Sequence, residues 1–319
     1  MIQLSVIIPT RNRSVLLDKT LRSITAQTYS GDLFEVIIVD NGSTDETPAI
    51  ANRYRGILKN LKYFYEAKPG LHEGRHCGLR ESQGSILTYA DDDIEAFPTW
   101  IEGIYESFLQ EEVGIVGGKD VPLYEAPPPD WVNDLWEINS YGKFMSYFSL
   151  LDFGDDVMEI DPDFVFGCNF SIRKSLLTQI GGFHPDGVPD SQLKYRGDGE
   201  TYVGRQVSKL GYKTIYNPKA SVNHWVPKAR MNLTYIKKRA FMSGISQSFT
   251  NSRKELIELN ELKRVPIFMK TLRKIKQFFL PQSLKSEILK SYYEGYEFHQ
   301  NELRKDKELI RWVTKPNYL

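Results

Sequence analysis

Three consecutive carboxylates, Asp91-Asp92-Asp93, directly follow the strand-like run Ser85-Ile86-Leu87-Thr88-Tyr89-Ala90. Adjacent acids at a strand end repel one another unless a cation or solvent neutralises them. Hard oxygen donors on a short loop suit Mg²⁺ or Mn²⁺, ions that commonly complete their coordination with phosphate oxygens and water. The competing interpretation is an acidic surface turn in which an Asp caps the next segment. Two more polar clusters also follow strand-like runs, Pro9-Thr10-Arg11-Asn12-Arg13 and Asp40-Asn41-Gly42-Ser43-Thr44-Asp45. The second reads equally as a turn plus helix cap, and one turn can both cap a helix and present a carboxylate.

The elements that must position these clusters alternate along the first 120 residues. Strand-like runs at 4–8, 35–39, 61–65, 85–90 and 113–116 are separated by helical spacing at 14–27, 46–54, 73–81 and 99–110. Such alternation predicts βαβ units and a largely parallel sheet. Ligands of such sheets bind beyond the carboxyl ends of the strands, which is where the clusters fall. From Pro122 the pattern loosens through Pro127-Pro128-Pro129 and an aromatic-rich stretch. Strand character returns at 164–172, 214–216 and 220–222, with helices to Ile180 and over 200–210. Beyond Trp225 the reading is mostly helix to Val313, broken at Pro266 and Pro281.

Of the 319 residues, 41 are basic and 41 acidic, and the hydrophobic share of 41% suffices for a full-sized core. The zero net charge hides two halves. Residues 226–319 hold 20 Lys and Arg against 9 Asp and Glu, leaving 21 against 32 before them. The overall charge balance argues against a general nucleic-acid binder. Two cysteines, Cys77 and Cys168, cannot build a disulfide framework, which predicts a reducing, cytoplasmic setting. No leader-like or membrane-spanning run is evident in the sequence. Within the basic tail, 262–280 interleaves six Lys and Arg with apolar residues and contains no acid. This predicts peripheral contact with an anionic membrane face, against the alternative of a packed helix with its cationic side solvated.

Taken together, the three clusters resemble family 2 glycosyltransferases, over about residues 1–225. The resemblance implies a GT-A nucleotide-diphospho-sugar transferase fold: a Rossmann-like, mixed but mainly parallel sheet flanked by helices. It implies a nucleotide-sugar-binding half over 1–120, an acceptor-binding half over 121–225, and a basic α-helical region over 226–319. The implied activity is metal-dependent, inverting transfer from a nucleoside-diphosphate sugar, with UDP-sugar as the expected donor, to a glycan, polysaccharide or lipid-linked hydroxyl.

Residue roles follow from the same resemblance. Pro9, Thr10 and Arg11 match the segment that meets the nucleotide, and Arg13 adds a guanidinium suited to phosphate. Asp40 matches the acid that bonds the base or ribose, with Ser43 in its loop. Lys68, Gly70 and Arg75 match the loop and helix start near base and diphosphate. Asp91 and Asp93 match the outer acids of the Asp-x-Asp signature, Asp91 toward ribose or sugar and Asp93 toward Mn²⁺ or Mg²⁺, and Asp92 could share either task. His224, after the expected strand 220–222, resembles a metal-coordinating His. Asp198 matches the base that deprotonates the acceptor, and Glu200 the second acid. Here the chain departs from the family pattern, with Gly197 in place of a Glu. Trp131, Trp136 and Tyr141 read either as sugar platforms or as core. Two alternatives stand beside this reading. A pyrophosphorylase-like nucleotidyltransferase would show a glycine-rich loop where Pro9 to Arg13 has none; a glycan-binding scaffold would retain the fold without catalysis.

Overall fold

Continuous apolar runs become central strands, because both faces of the main sheet are covered. The computed structural model describes residues 1–261 and 284–319. The basic stretch 262–280 and the expected breaks at Pro266 and Pro281 lie outside the described residues.

In chain order the first half runs β1 (Leu4–Thr10), α1 (Ser14–Thr25), β2 (Phe34–Asp40), α2 (Thr47–Tyr54), β3 (Leu61–Tyr65), α3 (Leu71–Glu81) and β4 (Ile86–Ala90). Next come β5 (Ile94–Ala96), α4 (Trp100–Ser107), β6 (Val113–Gly117), β7 (Asp120–Tyr124) and α5 (Asp130–Asn133). Short strands follow: β8 (Glu137–Ile138), β9 (Lys143–Met145), β10 (Leu150–Asp152), β11 (Met158–Glu159) and β12 (Asn169–Arg173). Then come α6 (Lys174–Gln179), α7 (Gly199–Lys209), β13 (Lys213–Tyr216) and β14 (Val222–Val226). Helices α8 (Leu233–Glu261), α9 (Leu284–Lys305) and α10 (Lys307–Val313) complete the described chain.

The chain divides into two units: Met1–Gly187 with Gly199–Lys228 and Asn317–Leu319, and Val188–Asp198 with Ala229–Pro316. The first unit holds an eight-stranded sheet in the order β11-β13-β6-β12-β4-β1-β2-β3. Its β1/β2, β2/β3, β1/β4 and β6/β13 pairs are parallel, while β12 runs antiparallel to β4 and β6. Leu4, Val6 and Ile8 of β1 enter one apolar cluster with Leu17, Leu21 and Trp100. Ile7 enters the other, with Tyr89, Phe170 and Phe183. That two-sided burial is why period-2 alternation is absent from β1.

A second sheet, β5-β14-β7-β10-β9-β8, arises largely from the stretch whose sequence pattern loosens. Four of its six strands have only two or three residues, too few to print a period. Two expected strands are corrected. The one read at 164–172 begins only at Asn169, because Pro162–Phe164 forms a 3₁₀ turn. The one read at 220–222 runs over Val222–Val226, so His224 lies inside it rather than after it. Val222, His224 and Val226 are buried while Asn223 and Trp225 are partly exposed, a period of two that an inward His obscures.

In the second unit α8 and α9 meet at glycines. A Cβ on Gly244 would lie 1.9 Å from the Tyr292 carbonyl oxygen, and one on Gly295 would lie 1.9 Å from that of Phe241. Backbone cannot yield as a side-chain tip can, so Gly244→Ala should destabilise this unit by about 1–3 kcal/mol. Helix propensity alone predicts the opposite sign, a gain of about 1 kcal/mol. Denaturant unfolding of the two proteins decides between them. Beside this crossing, Ser248 Oγ lies 2.7 Å from His299 Nδ1, and Gln300 Nε2 donates to Ser248 and Ser252. Burial pushes the His299 pKa down to about 4, so the imidazole is neutral. Among the described residues no helix is long and apolar enough to cross a membrane.

Candidate functional site

The parallel register of β1 and β2 sets Thr10 beside Asp40 at their carboxyl ends. The loops beyond are zipped together: Asn12 N donates to Ser43 Oγ at 2.9 Å, and Thr44 N donates to Asn12 Oδ1 at 2.7 Å. Asp40 is buried and accepts from Tyr63 Oη at 2.5 Å and Ser43 N at 2.7 Å. Asp45 serves as the expected cap, accepting from Thr47 N and Oγ1 and also from Ser14 N at the start of α1. Asn41, which the sequence reading passed over, ties this loop to the next. Its Nδ2 donates to the Lys68 carbonyl, and Gly70 N donates to its Oδ1. The Arg11 and Lys68 side chains are exposed at this strand end, and Pro9 is buried.

At the end of β4 the three acids separate. Asp92 turns to β1, accepting from Thr10 Oγ1 at 2.7 Å and Arg13 Nη1 at 2.5 Å. Arg13 Nη2 also reaches Asp93 Oδ2 at 2.9 Å. The guanidinium expected to face phosphate is therefore held between two carboxylates. Antiparallel pairing of β14 with β5 places His224 opposite Ile94, and Trp225 N donates to the Asp93 carbonyl. His224 Nε2 consequently sits 3.4 Å from Asp93 Oδ1. One ligand atom each from Asp91, Asp93 and His224 lie within 4.8 Å of one another. Two carboxylates and an imidazole form a donor set for Mn²⁺ or Mg²⁺, and neither nitrogen of the buried His224 has a hydrogen-bond partner. The residues present therefore fit a divalent cation.

The electrostatics carry the mark of crowded acids. Burial, then the neighbouring Asp93, raises the Asp91 pKa, against the pull of Arg75 and His224. Burial pushes Asp92 up to about 7 despite Arg13. Burial disfavours charge on His224, but Asp93, Asp91 and Asp120 outweigh it and hold its pKa above the ordinary value. Asp120, another residue missed from sequence, is raised to about 8 by burial. Its only sequence signal is an acid opening the run Asp120-Val121-Pro122-Leu123 just past Gly117-Gly118.

Arg75 corrects its expected place. Gly70 precedes the helix with φ 136°, so α3 begins at Leu71 and Arg75 lies one turn inside it, 2% exposed, rather than at its opening. Arg75 Nη1 donates to Glu200 Oε2 at 3.3 Å, and Nη2 donates to the Gly167 carbonyl at 3.2 Å. Its guanidinium stands 5.1 Å from the Phe183 ring centre. Burial works against the Arg75 charge, but Glu200, Asp91 and Asp186 outweigh it and raise the pKa. Gly167 provides the room: a Cβ there would lie 2.3 Å from Arg75 Nη2 and 3.0 Å from Glu200 Oε1. Pairing of Asn169 with Ala90 carries this segment to the acid cluster, where Asp91 N donates to the Cys168 carbonyl. Glu200 belongs to the first unit and Asp198 to the second, where Thr250 Oγ1 donates to Asp198 Oδ2 at 2.5 Å. Tyr141 packs on Phe153 and Phe164, Lys143 lies over the Trp136 ring, and Trp131 is half-buried.

A mixed sheet with acids just past β4, faced by a His inside β14 of the second sheet, fits a GT-A nucleotide-sugar fold. The sequence profile of glycosyl transferase family 2 matches residues 5–181, and the chain belongs to that family. Glycosyltransferase AglE of Haloferax volcanii is 36% identical over 115 residues, 36% of this chain and 38% of AglE. The glucosyl-dolichyl phosphate glucuronosyltransferase of the same organism is 24% identical over 238 residues, 72% of this chain and 70% of that protein. The mannosyltransferase PcManGT from Pyrobaculum calidifontis, solved with GDP-Man and Mn²⁺, superposes with a TM-score of 0.56 at 18% identity. That match covers 98% of this chain and 84% of that one.

Proposed function

We propose that this chain is a cation-dependent, inverting glycosyltransferase that moves a sugar from a nucleoside-diphosphate donor to a glycan or lipid-linked hydroxyl. The observation that carries the reading is the Asp91, Asp93 and His224 group in the same unit as the Arg75–Glu200 pair. Asp91, Asp93 and His224 would hold Mn²⁺ or Mg²⁺, which when bound offsets the negative charge growing on the leaving diphosphate. Thr10, Arg11, Asp40 and Ser43 line the strand ends that receive the nucleotide, with Asp40 buried and fixed by Tyr63. Glu200 takes the proton of the acceptor hydroxyl as its oxygen attacks the anomeric carbon and the nucleoside diphosphate departs with the bonding pair. One displacement inverts that centre.

Glu200 is favoured over Asp198 as the base because Arg75 fixes it within the unit that carries the acid cluster. Asp198 accepts from Thr250 in the other unit. A lipid-linked acceptor draws support from the dolichyl phosphate substrate in one relative's name. The test is a screen of nucleoside-diphosphate sugars by thermal shift and donor hydrolysis, with and without Mn²⁺. The reading requires stabilisation by at least one donor, and a chain that responds to none is not this enzyme. Gly167→Ala should push Arg75 and Glu200 apart. A misplacement near 1 Å costs about 10²-fold in rate. Turnover at saturating donor measures it, with donor affinity unchanged.

A further inference from the structure

His224 and Asp120 are 3% and 1% exposed, and neither His224 ring nitrogen nor Asp120 Oδ1 has a hydrogen-bond partner. Burying such atoms without partners is costly, so each calls for a counterpart. Strands β7 and β14 pair in parallel, with Asp120 opposite Val222 and Pro122 opposite His224. Residues two apart on a strand share a face, so Asp120 and His224 are diagonal neighbours on one face of the second sheet. Their charges act on one another, and Asp120 also feels Asp91.

Asn169 and Cys168 are the other polar groups against Asp120, and each also bonds elsewhere: Asn169 accepts from Trp100 Nε1 at 2.9 Å and donates to the Ala220 carbonyl at 2.9 Å, while Cys168 Sγ donates to the Ser149 carbonyl at 3.9 Å. His224 Nε2 is the nitrogen beside Asp93, which leaves Nδ1 for another task. A neutral imidazole that gives one nitrogen's lone pair to a cation carries its proton on the other. A carboxylate accepting that proton fixes the tautomer, aims the ring and raises the basicity of the ligating nitrogen.

We propose that Asp120 is a positioning residue for His224: with a divalent cation on Asp91, Asp93 and His224 Nε2, the His224 Nδ1–H is donated to the Asp120 carboxylate. The role rests on the cation reading above. Asp120 thereby couples the second sheet to the acid cluster, and an acid at the first position of β7 serves the site without touching substrate.

The experiment is titration of the full chain with Mn²⁺ alone, following the free-ion signal by electron paramagnetic resonance. Pulsed measurements on the bound ion then read the coupling to imidazole nitrogen. Asp120→Asn and Asp120→Ala are compared with the wild type, and circular dichroism without metal confirms that each folds; the isosteric Asn variant serves alone if Ala does not. The dissociation constant should rise about 10- to 100-fold, the range for losing such a partner. The nitrogen coupling should weaken in step. Unchanged affinity, or weaker affinity with undiminished nitrogen coupling, overturns the positioning role while leaving the cation site standing. Failure of the wild type to bind Mn²⁺ removes the cation site, and this role with it.

Discussion

Replacing Glu200 by Gln should lower turnover by about 10²- to 10⁴-fold, the usual worth of a positioned base. That loss corresponds to roughly 3–5 kcal/mol of transition-state stabilisation. Affinity for the nucleoside diphosphate and for Mn²⁺ should not change, because Glu200 is outside the Asp91, Asp93 and His224 group. Gln keeps the length and one acceptor for Arg75 Nη1, which donates at 3.3 Å, so the arginine stays in place. The matching Asp198→Asn change, where Thr250 already donates to the carboxylate, should cost much less. Steady-state kinetics on the two variants, with nucleotide binding measured separately, checks the pair. Loss of turnover in Asp198→Asn with near-normal Glu200→Gln would reverse the assignment.

Asp93→Asn should be the most damaging single change at the acid cluster. Asp93 faces two ways, with Oδ1 3.4 Å from His224 Nε2 and Oδ2 2.9 Å from Arg13 Nη2. The substitution removes a cation ligand and leaves Arg13 with Asp92 as its carboxylate partner in the pair. A cation's contribution of several kcal/mol converts to a loss of about 10³-fold or more in turnover. Excess Mn²⁺ should recover part of it, which a merely misfolded variant would not show. Isothermal titration with Mn²⁺, beside unfolding curves for wild type and variant, separates the two causes.

What the sequence made legible was what lies close along the chain. The runs ending at Thr10, Asp40 and Ala90 announce buried strands, and their polar successors fall together because those strands are parallel neighbours. Asp91 and Asp93 follow from that geometry, and His224 from family resemblance even though its strand was misplaced. The Arg75–Glu200 pair spans 125 positions, and no local pattern encodes it. Gly167 makes room for the Arg75 guanidinium, which a Cβ would strike, and nothing beside it in the chain announces that neighbour. Asp120 was hidden for a similar reason, since its partners come from β12 and β14 rather than from its own strand. Most of the second sheet was missed because strands of two or three residues cannot display a period. The glycine crossing of α8 and α9 likewise depends on two helices meeting, while each glycine alone looks like a helix weakener.

The proposed function places a divalent cation and a nucleoside diphosphate in one site built on Asp91, Asp93 and His224. Linkage makes that claim measurable, because two ligands that contact each other raise one another's affinity by the same factor. The direct test is calorimetric titration of a nucleoside diphosphate into the full chain, with and without Mn²⁺, repeated on Asp93→Asn. Mn²⁺ should tighten nucleotide binding by about 10-fold or more, a coupling of roughly 1.4 kcal/mol, and the gain should disappear in the variant. Nucleotide binding of equal strength with and without Mn²⁺, in both proteins, would contradict that claim.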